Sequence, residues 1–365
     1  MKTQHTQGRD VAFEISDSAK LPAHPVVSVL MLAYNHGRYI GDAIEGVLLQ
    51  DVDFPIELVI AEDCSPDNTR EIVEQYQRRH PGLVRIVTSG QNVGMLANHR
   101  RALAACRGEF VAYCEGDDYW HHPRKLELQV RAMRADSTIG LVHTDYDYRV
   151  GGRVGRSLMA SDNRPAPQGN AFHSLLRGYW LGTATLMYRK DVLDSFESAG
   201  IPEGEYRFGD YSRALFTAMR WKLCFIPVST ATYRYMQGSA MNSGSVSTLR
   251  LRQSVVKCRR DFMALAGCEP DDLHQIERNE YLLLYGNAYL ARDLLAFDNA
   301  AAWRRDHDPA WRMDVRHRLR RILIRIGPLH ALVLFRSKIQ WWLSVRRRYS
   351  PMTIEQQRKM AASAP

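Results

Sequence analysis

The sequence EFVAYCEGDD at positions 109–118 joins an apolar run to a turn that carries three carboxylates. The apolar and aromatic residues of the run favour a buried strand, and the glycine that follows marks a turn. Because carboxylates repel one another at close range, a divalent cation that carries a phosphate is a natural occupant of such a turn. A solvated acidic turn is the alternative, since short acidic turns are common at strand ends.

Strand-like and helix-like segments alternate around this stretch. The patterns predict strands at residues 26–32, 56–61, 84–87 and 109–114, and helices at 41–49, 98–106 and in a segment that ends at 79. This alternation is typical of an α/β protein in which helices cover a sheet. Ligands of open α/β sheets bind outside the carboxyl ends of the strands. We therefore expect the polar clusters at 34–35, 62–63 and 115–118 to line one crevice.

The loop after the first strand excludes two common nucleotide-binding classes. It reads AYNHG at 33–37, which is neither GxGxxG nor GxxxxGK[ST]. Dinucleotide oxidoreductases and P-loop enzymes need those glycines to bring backbone amides close to phosphate. A nucleotide bound here would have to be held by side chains and a metal.

Length and composition describe an ordinary globular chain. The 365 residues, 45% of them hydrophobic, suggest roughly two domains. The first 24 residues have no apolar core of the kind found in secretory signals, and no run approaches the roughly 20 apolar residues of a membrane span. The six cysteines include no CxxC pair. We expect reduced thiols in a cytoplasmic protein.

The second half of the chain continues with weaker signals. The residues at 151–167 predict a mobile loop over the crevice, and strand-like segments follow at 183–188 and 223–226. Later helices are predicted at 213–219, 249–265 and 272–297, the last with a break near Gly286. The predicted organisation is an N-terminal extension at 1–25, a catalytic domain at 26–244, a helical region at 245–310, a basic amphipathic segment at 311–349 and a tail at 350–365.

Four motifs, taken in order, resemble inverting glycosyltransferases of family 2. They are VLMLAYN at 29–35, IAEDCSPDNT at 60–69, NVG at 92–94 and GEFVAYCEGDDYW at 108–120. The resemblance covers about residues 26–235, and the order and spacing of the motifs carry it. It implies the GT-A fold, a Rossmann-like mixed sheet of nucleotide-diphospho-sugar transferases flanked by helices, followed here by a C-terminal helical region.

The resemblance implies a donor site at the first two strand ends. Asp63 matches the family aspartate that accepts a hydrogen bond from the nucleobase, and Tyr34 stands where a side chain packs near that base. The residues alone leave alternatives open. Asp63 could cap a helix or close an Asx turn before Ser65, and Tyr34 could be a core residue.

Glu115 and Asp117 occupy the ends of the family's DxD motif, with Glu in place of the first Asp. The resemblance implies that Glu115 contacts the ribose and that Asp117 binds Mg²⁺ or Mn²⁺, which bridges the two phosphates of a nucleotide sugar. Asp118 is assigned to the donor sugar or to the support of neighbouring residues.

Two later residues complete the implied site. Asp210 in FGDY at 208–211 matches the family's catalytic base, although Gly209 replaces its usual Glu partner and a helix cap is the alternative. Arg234 in YRYM at 233–236 matches a phosphate partner. Met236 stands where many members carry a histidine, so we expect no third metal ligand there.

The positive charge of the chain is concentrated near its C-terminus. Residues 301–349 contain 13 Lys and Arg against 3 Asp, whereas the whole chain carries a net charge of +9. Arginine clusters alternate with apolar stretches and a tryptophan pair at residues 316–348, which suits a helix on an anionic membrane surface. The alternative is a helix packed on the domain with an arginine-rich outer face. Nucleic acid is not expected as a partner, because no recognisable binding module accompanies the charge.

Together these features predict a metal-dependent inverting glycosyltransferase. The expected donor is a nucleotide sugar, a UDP-sugar first of all, and the expected acceptor is a saccharide or lipid-linked saccharide of bacterial surface polysaccharide. One rival is a nucleotidyltransferase on a related fold, which would need a glycine-rich, lysine-bearing loop after the first strand. The other is a catalytically silent scaffold that binds saccharide or membrane. We expect the protein in the cytoplasm, peripheral at the inner face of the membrane.

Overall fold

A mixed sheet covered by helices forms the N-terminal two thirds of the molecule. The computed structural model describes residues 12–156, 166–178, 181–207, 209–236, 245–268, 270–307 and 315–363. The strands in these ranges are β1 Phe13–Ile15, β2 Val27–Ala33, β3 Ile56–Glu62, β4 Val84–Thr88, β5 Phe110–Tyr113, β6 Tyr119–Trp120, β7 Ile139–Val150, β8 Arg153–Arg156, β9 Met187–Arg189, β10 Lys222–Arg234 and β11 Ser350–Pro351. The α-helices are α1 Ile40–Leu48, α2 Thr69–Arg79, α3 Met95–Ala105, α4 Lys125–Ala135, α5 Phe172–Arg177, α6 Lys190–Ser198, α7 Gly209–Arg220, α8 Ser245–Leu265, α9 Pro270–Ala291, α10 Leu294–His307, α11 Val315–Arg325, α12 Gly327–Arg348 and α13 Ile354–Ala362.

The strand order within the described residues is β1-β4-β3-β2-β5-β9-β7-β10-β6. Strands β4, β3, β2 and β5 are parallel to one another, the edge strand β1 pairs antiparallel with β4, and β9 inserts antiparallel between β5 and β7. Strands β7 and β10 run parallel, while β6 pairs antiparallel with β10. The carboxyl ends of β2, β3 and β5 therefore meet at one edge, as the sequence predicts.

Alternating side chains of the central strands feed two hydrophobic cores. Val29 and Met31 of β2 pack with α1 and α2 on one face, and Leu30 packs with α3 and α7 on the other. This period of two is what a sheet buried on both faces requires. The arrangement fixes the loops after the strands on a rigid base.

A third hydrophobic cluster unites the C-terminal helices. Helices α8, α9 and α10 pack around Tyr285, Tyr289 and Phe297, and Ile324 of α11 joins them. His317 of α11 stacks on Phe297 and shares a hydrogen bond with Tyr285. One face of the basic segment is thus packed onto the helical region. In the part of the chain that the structure describes, no helix is both long enough and apolar enough to span a membrane.

The predicted strands at 26–32, 56–61, 84–87 and 109–114 are confirmed, each end within one residue. The predicted strand at 183–188 is largely wrong, because Thr183–Thr185 forms a 3₁₀ turn and only Met187–Arg189 is extended. The reason is local: the Thr185 amide and hydroxyl both donate to the Gly182 carbonyl, at 2.8 and 2.7 Å.

The predicted break near Gly286 is also wrong. Gly286 lies inside α9, and the chain turns instead at Arg292, whose φ is +58°. Asp293 N donates to Ala288 O at 3.0 Å, and Arg292 Nε donates to Ile324 O at 3.0 Å. These bonds close α9 at a position that the sequence does not mark with glycine.

The predicted loop at 151–167 begins with the hairpin strand β8, and residues 157–165 lie outside the described residues. The N-terminal extension contributes the edge strand β1, which pairs with β4. The domain boundaries themselves stay predictions.

Candidate active site

Backbone hydrogen bonds join the residues that follow β3 and β5 to the carboxyl end of β2. Asp63 N donates to Ala33 O at 3.0 Å, and Gly116 N donates to Leu32 O at 2.9 Å. The polar residues after β2, β3 and β5 therefore share one crevice, which confirms the expectation from the strand pattern.

Gly116 occupies a point where no side chain fits. A Cβ atom there would lie 2.7 Å from His36 Nδ1 and 2.9 Å from Leu32 O. The glycine lets the acidic turn lie directly on the loop after β2. Contact with a backbone carbonyl cannot be relieved by a rotamer change, so this position requires glycine.

His36 is a site residue that the sequence analysis did not single out. Its Nε2 lies 4.0 Å from Asp117 Oδ2, and its buried Nδ1 has no hydrogen-bond partner among the described residues. Burial lowers the pKa of His36, although the carboxylates of Asp117 and Asp67 oppose that shift. Its place directly after the first strand, in AYNHG, was the available signal.

The acidic turn carries more negative charge than its surroundings balance. Burial, together with the carboxylates of Asp117 and Asp210, raises the pKa of Glu115 to about 8. Burial and Asp117 also hold the pKa of Asp118 well above its usual range. A bound cation would favour the ionised forms of these carboxylates.

The metal expected at Asp117 fits this turn. Asp117 keeps 23% of its side chain exposed, and no three His, Cys, Asp or Glu side chains converge as a metal site in the described ranges. Mg²⁺ is commonly held by one or two carboxylates together with the phosphates of a substrate. Asp117, beside Glu115, therefore suits a cation that arrives with a diphosphate. Its role as metal ligand stays a prediction.

Arg234 lies against the acidic turn at the end of β10. Its amide donates to Asp118 Oδ1 at 2.8 Å, and its Nη1 donates to Asp117 O at 3.3 Å. Its guanidinium pairs with the Asp42 carboxylate and lies 4.6 Å from the ring centre of Tyr119. Asp118 thus fixes Arg234, which is one of the two roles that the sequence left open for it. Contact of Arg234 with phosphate stays a prediction.

Asp63 is buried and bridges two loops. Its carboxylate accepts hydrogen bonds from Val93 N and Gly94 N, both at 2.9 Å, and pairs with Arg101 at 3.3 Å. It does not close the turn before Ser65, because Glu62 accepts from Ser65 N at 2.7 Å. These bonds join residues about 30 positions apart, so no local pattern in the sequence marks them. Contact of Asp63 with a nucleobase stays a prediction.

A cleft of about 640 Å³ opens beside Asp63. Its lining comprises Val93, Gly94, Met95, Leu96, Ala97, Arg100 and Arg101. Helix α3 begins here, three residues before the predicted start, because Gly94 precedes it with φ +86°.

Tyr34, on the loop after β2, is 47% exposed, which excludes the core alternative. Its contact with the base stays a prediction.

Asp210 lies in the first turn of α7. Its Oδ2 accepts from Thr183 Oγ1 at 3.1 Å, and its Oδ1 accepts from Tyr211 N at 2.9 Å. The 3₁₀ turn links Asp210 to the segment after the acidic turn, because the Ala184 carbonyl, next to Thr183, accepts from Trp120 Nε1 at 2.8 Å. The structure thereby brings together two elements that are about 95 residues apart in sequence. The role of Asp210 as base stays a prediction.

Two further residues near Asp210 were not predicted. Arg213 follows it by one helical turn, is buried, and lowers the pKa of Glu115 against the effect of burial. Thr183 reaches Asp210 from the 3₁₀ turn. The helical spacing of three residues was the signal for Arg213, whereas nothing local marked Thr183.

Comparison with known proteins agrees with this arrangement. The family described as "Glycosyl transferase family 2" matches residues 28–195. A putative teichuronic acid biosynthesis glycosyltransferase of Bacillus subtilis, TuaG, is 31% identical over 184 residues, which is 48% of this chain and 67% of that protein. An uncharacterized protein of Mycobacterium tuberculosis is 43% identical over 107 residues, 29% of this chain. The chain spans only 31% of the length of that mycobacterial relative.

Two solved structures share the fold. TarS of S. aureus in complex with UDP-GlcNAc has a TM-score of 0.57 and 20% identity, covering 77% of this chain and 81% of TarS residues in that structure. A mannosyltransferase of Pyrobaculum calidifontis in complex with GDP-Man and Mn²⁺ has a TM-score of 0.52 and 20% identity, covering 92% of this chain and 86% of that one. The resemblance drawn from the four motifs is confirmed, and the chain belongs to glycosyltransferase family 2 and has the GT-A fold.

Proposed function

We propose that the protein transfers a sugar, with inversion, from a nucleotide-sugar donor to a hydroxyl of a saccharide or lipid-linked saccharide in bacterial surface polysaccharide synthesis. The observation that carries the proposal is the link between Asp210 and the acidic turn: Thr183 binds the Asp210 carboxylate, and the adjacent Ala184 carbonyl accepts from Trp120, two residues after Asp118. Family membership supports the reaction class. The name of TuaG supports a surface-polysaccharide acceptor, and the UDP-GlcNAc complex of TarS supports a UDP-sugar donor.

The donor would lie across the ends of β2, β3 and β5. Asp63 and Tyr34 would contact the base beside the cleft, and Glu115 would contact the ribose. Asp117 would hold Mg²⁺ or Mn²⁺, which when bound neutralises charge on the leaving diphosphate. Arg234, kept in place by Asp118, would add a second positive charge near the phosphates.

Asp210 would act on the acceptor. The acceptor oxygen forms a bond to the anomeric carbon, the bond from that carbon to the diphosphate oxygen breaks, and the hydroxyl proton passes to the Asp210 carboxylate. The Thr183 hydroxyl donates to one oxygen of this carboxylate, and the amide of Tyr211 in the first turn of α7 donates to the other. The two hydrogen bonds fix the orientation of the carboxylate. Arg213, which opposes the raised pKa of Glu115, would help to balance the charge between the two carboxylates.

Two substitutions separate the two roles. We expect Asp210→Asn to lower UDP release from a UDP-sugar at least about a hundredfold while UDP binding with Mn²⁺ changes little. Asp117→Asn should instead abolish the Mn²⁺ dependence of UDP binding. Asp194→Asn, the same chemical change on a half-exposed carboxylate of α6, is the control. Normal turnover by Asp210→Asn would contradict the assignment of the base.

The rival functions predict other results. A nucleotidyltransferase would release pyrophosphate from a nucleoside triphosphate and a sugar phosphate. A silent scaffold would bind saccharide or vesicles without releasing any nucleotide. The AYNHG loop, which lacks lysine, and the carboxylates gathered at the crevice favour the glycosyltransferase over both.

The proposal also includes an anionic membrane surface as a partner of residues 316–348. Two rows of large apolar side chains are exposed there. The first, the α11 row, is Val315, Leu319 and Ile322, and the second, on α12, is Phe335, Ile339, Trp342 and Leu343. Spacings of three and four residues place the members of each row on one face of a helix.

The α11 row lies opposite the face that packs on the protein. His317 and Ile324 are buried in the helical region, whereas Leu319 and Ile322 are each 53% exposed. Arg318 and Arg325 are exposed on the flank of this row. The sequence left two alternatives for the segment, packing on the domain or binding to membrane. The buried face of α11 suits the first alternative, and its exposed face suits the second. An apolar row flanked by arginines fits the interface of an anionic bilayer.

A further inference from the structure

The C-terminal segment returns from α12 to the catalytic sheet. Strand β11 pairs with β8, and Arg149 Nη2 donates to Met352 O at 3.0 Å. Thr353 then starts α13 with a capping box formed with Gln356. The predicted tail at 350–365 is therefore ordered against the GT-A domain in its described part, residues 350–363.

Gln357 anchors this helix in the sheet. It is 4% exposed, and its Oε1 accepts from the Tyr119 hydroxyl at 2.7 Å. Its Nε2 donates to Asp147 Oδ2 at 2.7 Å and to Thr232 Oγ1 at 2.9 Å. Both ends of the amide are thus engaged, which fixes its orientation as well as its position.

The partners of Gln357 lie next to Arg234, the residue that contacts the acidic turn. Tyr119 follows Asp117 by two residues, and its ring supports the Arg234 guanidinium. Thr232 precedes Arg234 by two residues on β10 and so lies on the same face of the strand. Gln357 therefore contacts the neighbours of Arg234 on two strands.

Arg358 reaches the same residue from another side. Its Nη2 donates to the backbone oxygen of Asp42 at 3.1 Å, and the carboxylate of Asp42 pairs with Arg234. Two consecutive residues of α13 thus contact the groups that position one guanidinium. The polar contacts dominate this docking, because Gln357 is the buried residue of α13 whereas Met360 is 61% exposed.

We propose that α13 is a brace for the donor site, and that Gln357 and Arg358 are positioning residues for Arg234. The inference rests on the proposed function in one respect, the contact of Arg234 with the donor diphosphate. Without the brace, the Tyr119 hydroxyl and the Asp42 carbonyl would each lose a hydrogen-bond partner, and Arg234 would have to be ordered at the expense of donor affinity.

Gln357→Met tests the brace, because methionine keeps the length of the side chain and removes its hydrogen bonds. Lys359→Ala is the matched control, since this exposed lysine of the same helix contacts only Glu355 in the described residues. We expect the Met variant to raise the KM for a UDP-sugar roughly fivefold to tenfold, with kcat for UDP release within about twofold of wild type. An unchanged KM, or a loss of kcat alone, would overturn the proposal.

A second measurement does not depend on activity. The amide of Arg234 donates to Asp118, so its hydrogen exchange reports whether the residue is held. Exchange in β10 should be faster in Gln357→Met and unchanged in Lys359→Ala, with or without nucleotide. Equal exchange in the Met variant and the wild type would overturn the brace. If instead the wild type releases no nucleotide from any donor while exchange responds as expected, the proposed function fails and the brace stands.

Discussion

Exchanging Leu319 and Ile322 for Asn should weaken binding to anionic vesicles without unfolding the protein. Each side chain is 53% exposed, so about half of its apolar surface remains to be buried by lipid. Full burial of such a side chain is worth about 1.5–3 kcal/mol, so the pair contributes about 2–3 kcal/mol to membrane binding. That corresponds to a roughly 30- to 150-fold weaker partition coefficient for the double variant.

Cosedimentation with vesicles of phosphatidylcholine and phosphatidylserine measures this coefficient directly. Leu265→Asn is the control, because Leu265 is 60% exposed at the end of α8, away from the basic segment in sequence. Binding should also weaken with added salt and with pure phosphatidylcholine, since each arginine near an anionic surface adds about 1 kcal/mol. A double variant that binds as tightly as wild type would refute the assignment of this face to the membrane.

Point variants test the membrane-binding face more specifically than truncation does. Deleting the chain from Val315 onward would remove the exposed rows, but it would also remove Ile324 from the helical core and Gln357 from the sheet. Loss of membrane binding in that truncation would therefore have more than one cause. Exchanges on the outer face of α11 leave both of those contacts in place.

Three further changes have definite expected results. Gly116→Ala should lower Tm and abolish UDP binding, because its Cβ would lie 2.9 Å from Leu32 O; a calorimetric titration that matches wild type would contradict this. Lys125→Met should stabilise the fold at pH 7. Burial lowers the pKa of Lys125 to about 7, so between pH 7 and about 10 the folded protein releases a proton that the unfolded chain still holds. Wild-type stability should accordingly rise relative to the variant above pH 7, reaching about 1.4 kcal/mol per pH unit at about pH 8–9 in urea unfolding, and parallel curves would count against it. Asp63→Ala should speed hydrogen exchange at residues 93–94, because their amides donate to the Asp63 carboxylate, and unchanged exchange there would be inconsistent with the bridge.

The sequence predicted the elements that depend on local pattern. Strands β2 to β5 are predominantly apolar runs, and a run buried on both faces is visible without knowledge of its partners. The rule that ligands bind at strand ends then placed Asp63 and the acidic turn at one crevice. The fold class could be predicted because the four motifs keep their order.

The elements and contacts that the sequence pattern did not predict depend on pairing between distant segments. The polar second halves of β7 and β10, which end at Val150 and Arg234, are extended because they pair with each other. Thr183 binds Asp210, Asp63 binds the loop before α3, and Gln357 binds Tyr119, 238 positions away. No periodicity within a single segment encodes such contacts, so they emerge only from the folded chain.

The most direct test of the central claim is a donor screen with Mn²⁺. Wild-type protein and Asp117→Ala are incubated with UDP-, GDP- and dTDP-sugars, and release of the nucleoside diphosphate is followed with and without EDTA. We expect metal-dependent release from one nucleotide class, a UDP-sugar first of all, that is lost in Asp117→Ala. Absence of binding and of release for every donor, with or without metal, would contradict the assignment of this crevice as a glycosyltransferase active site.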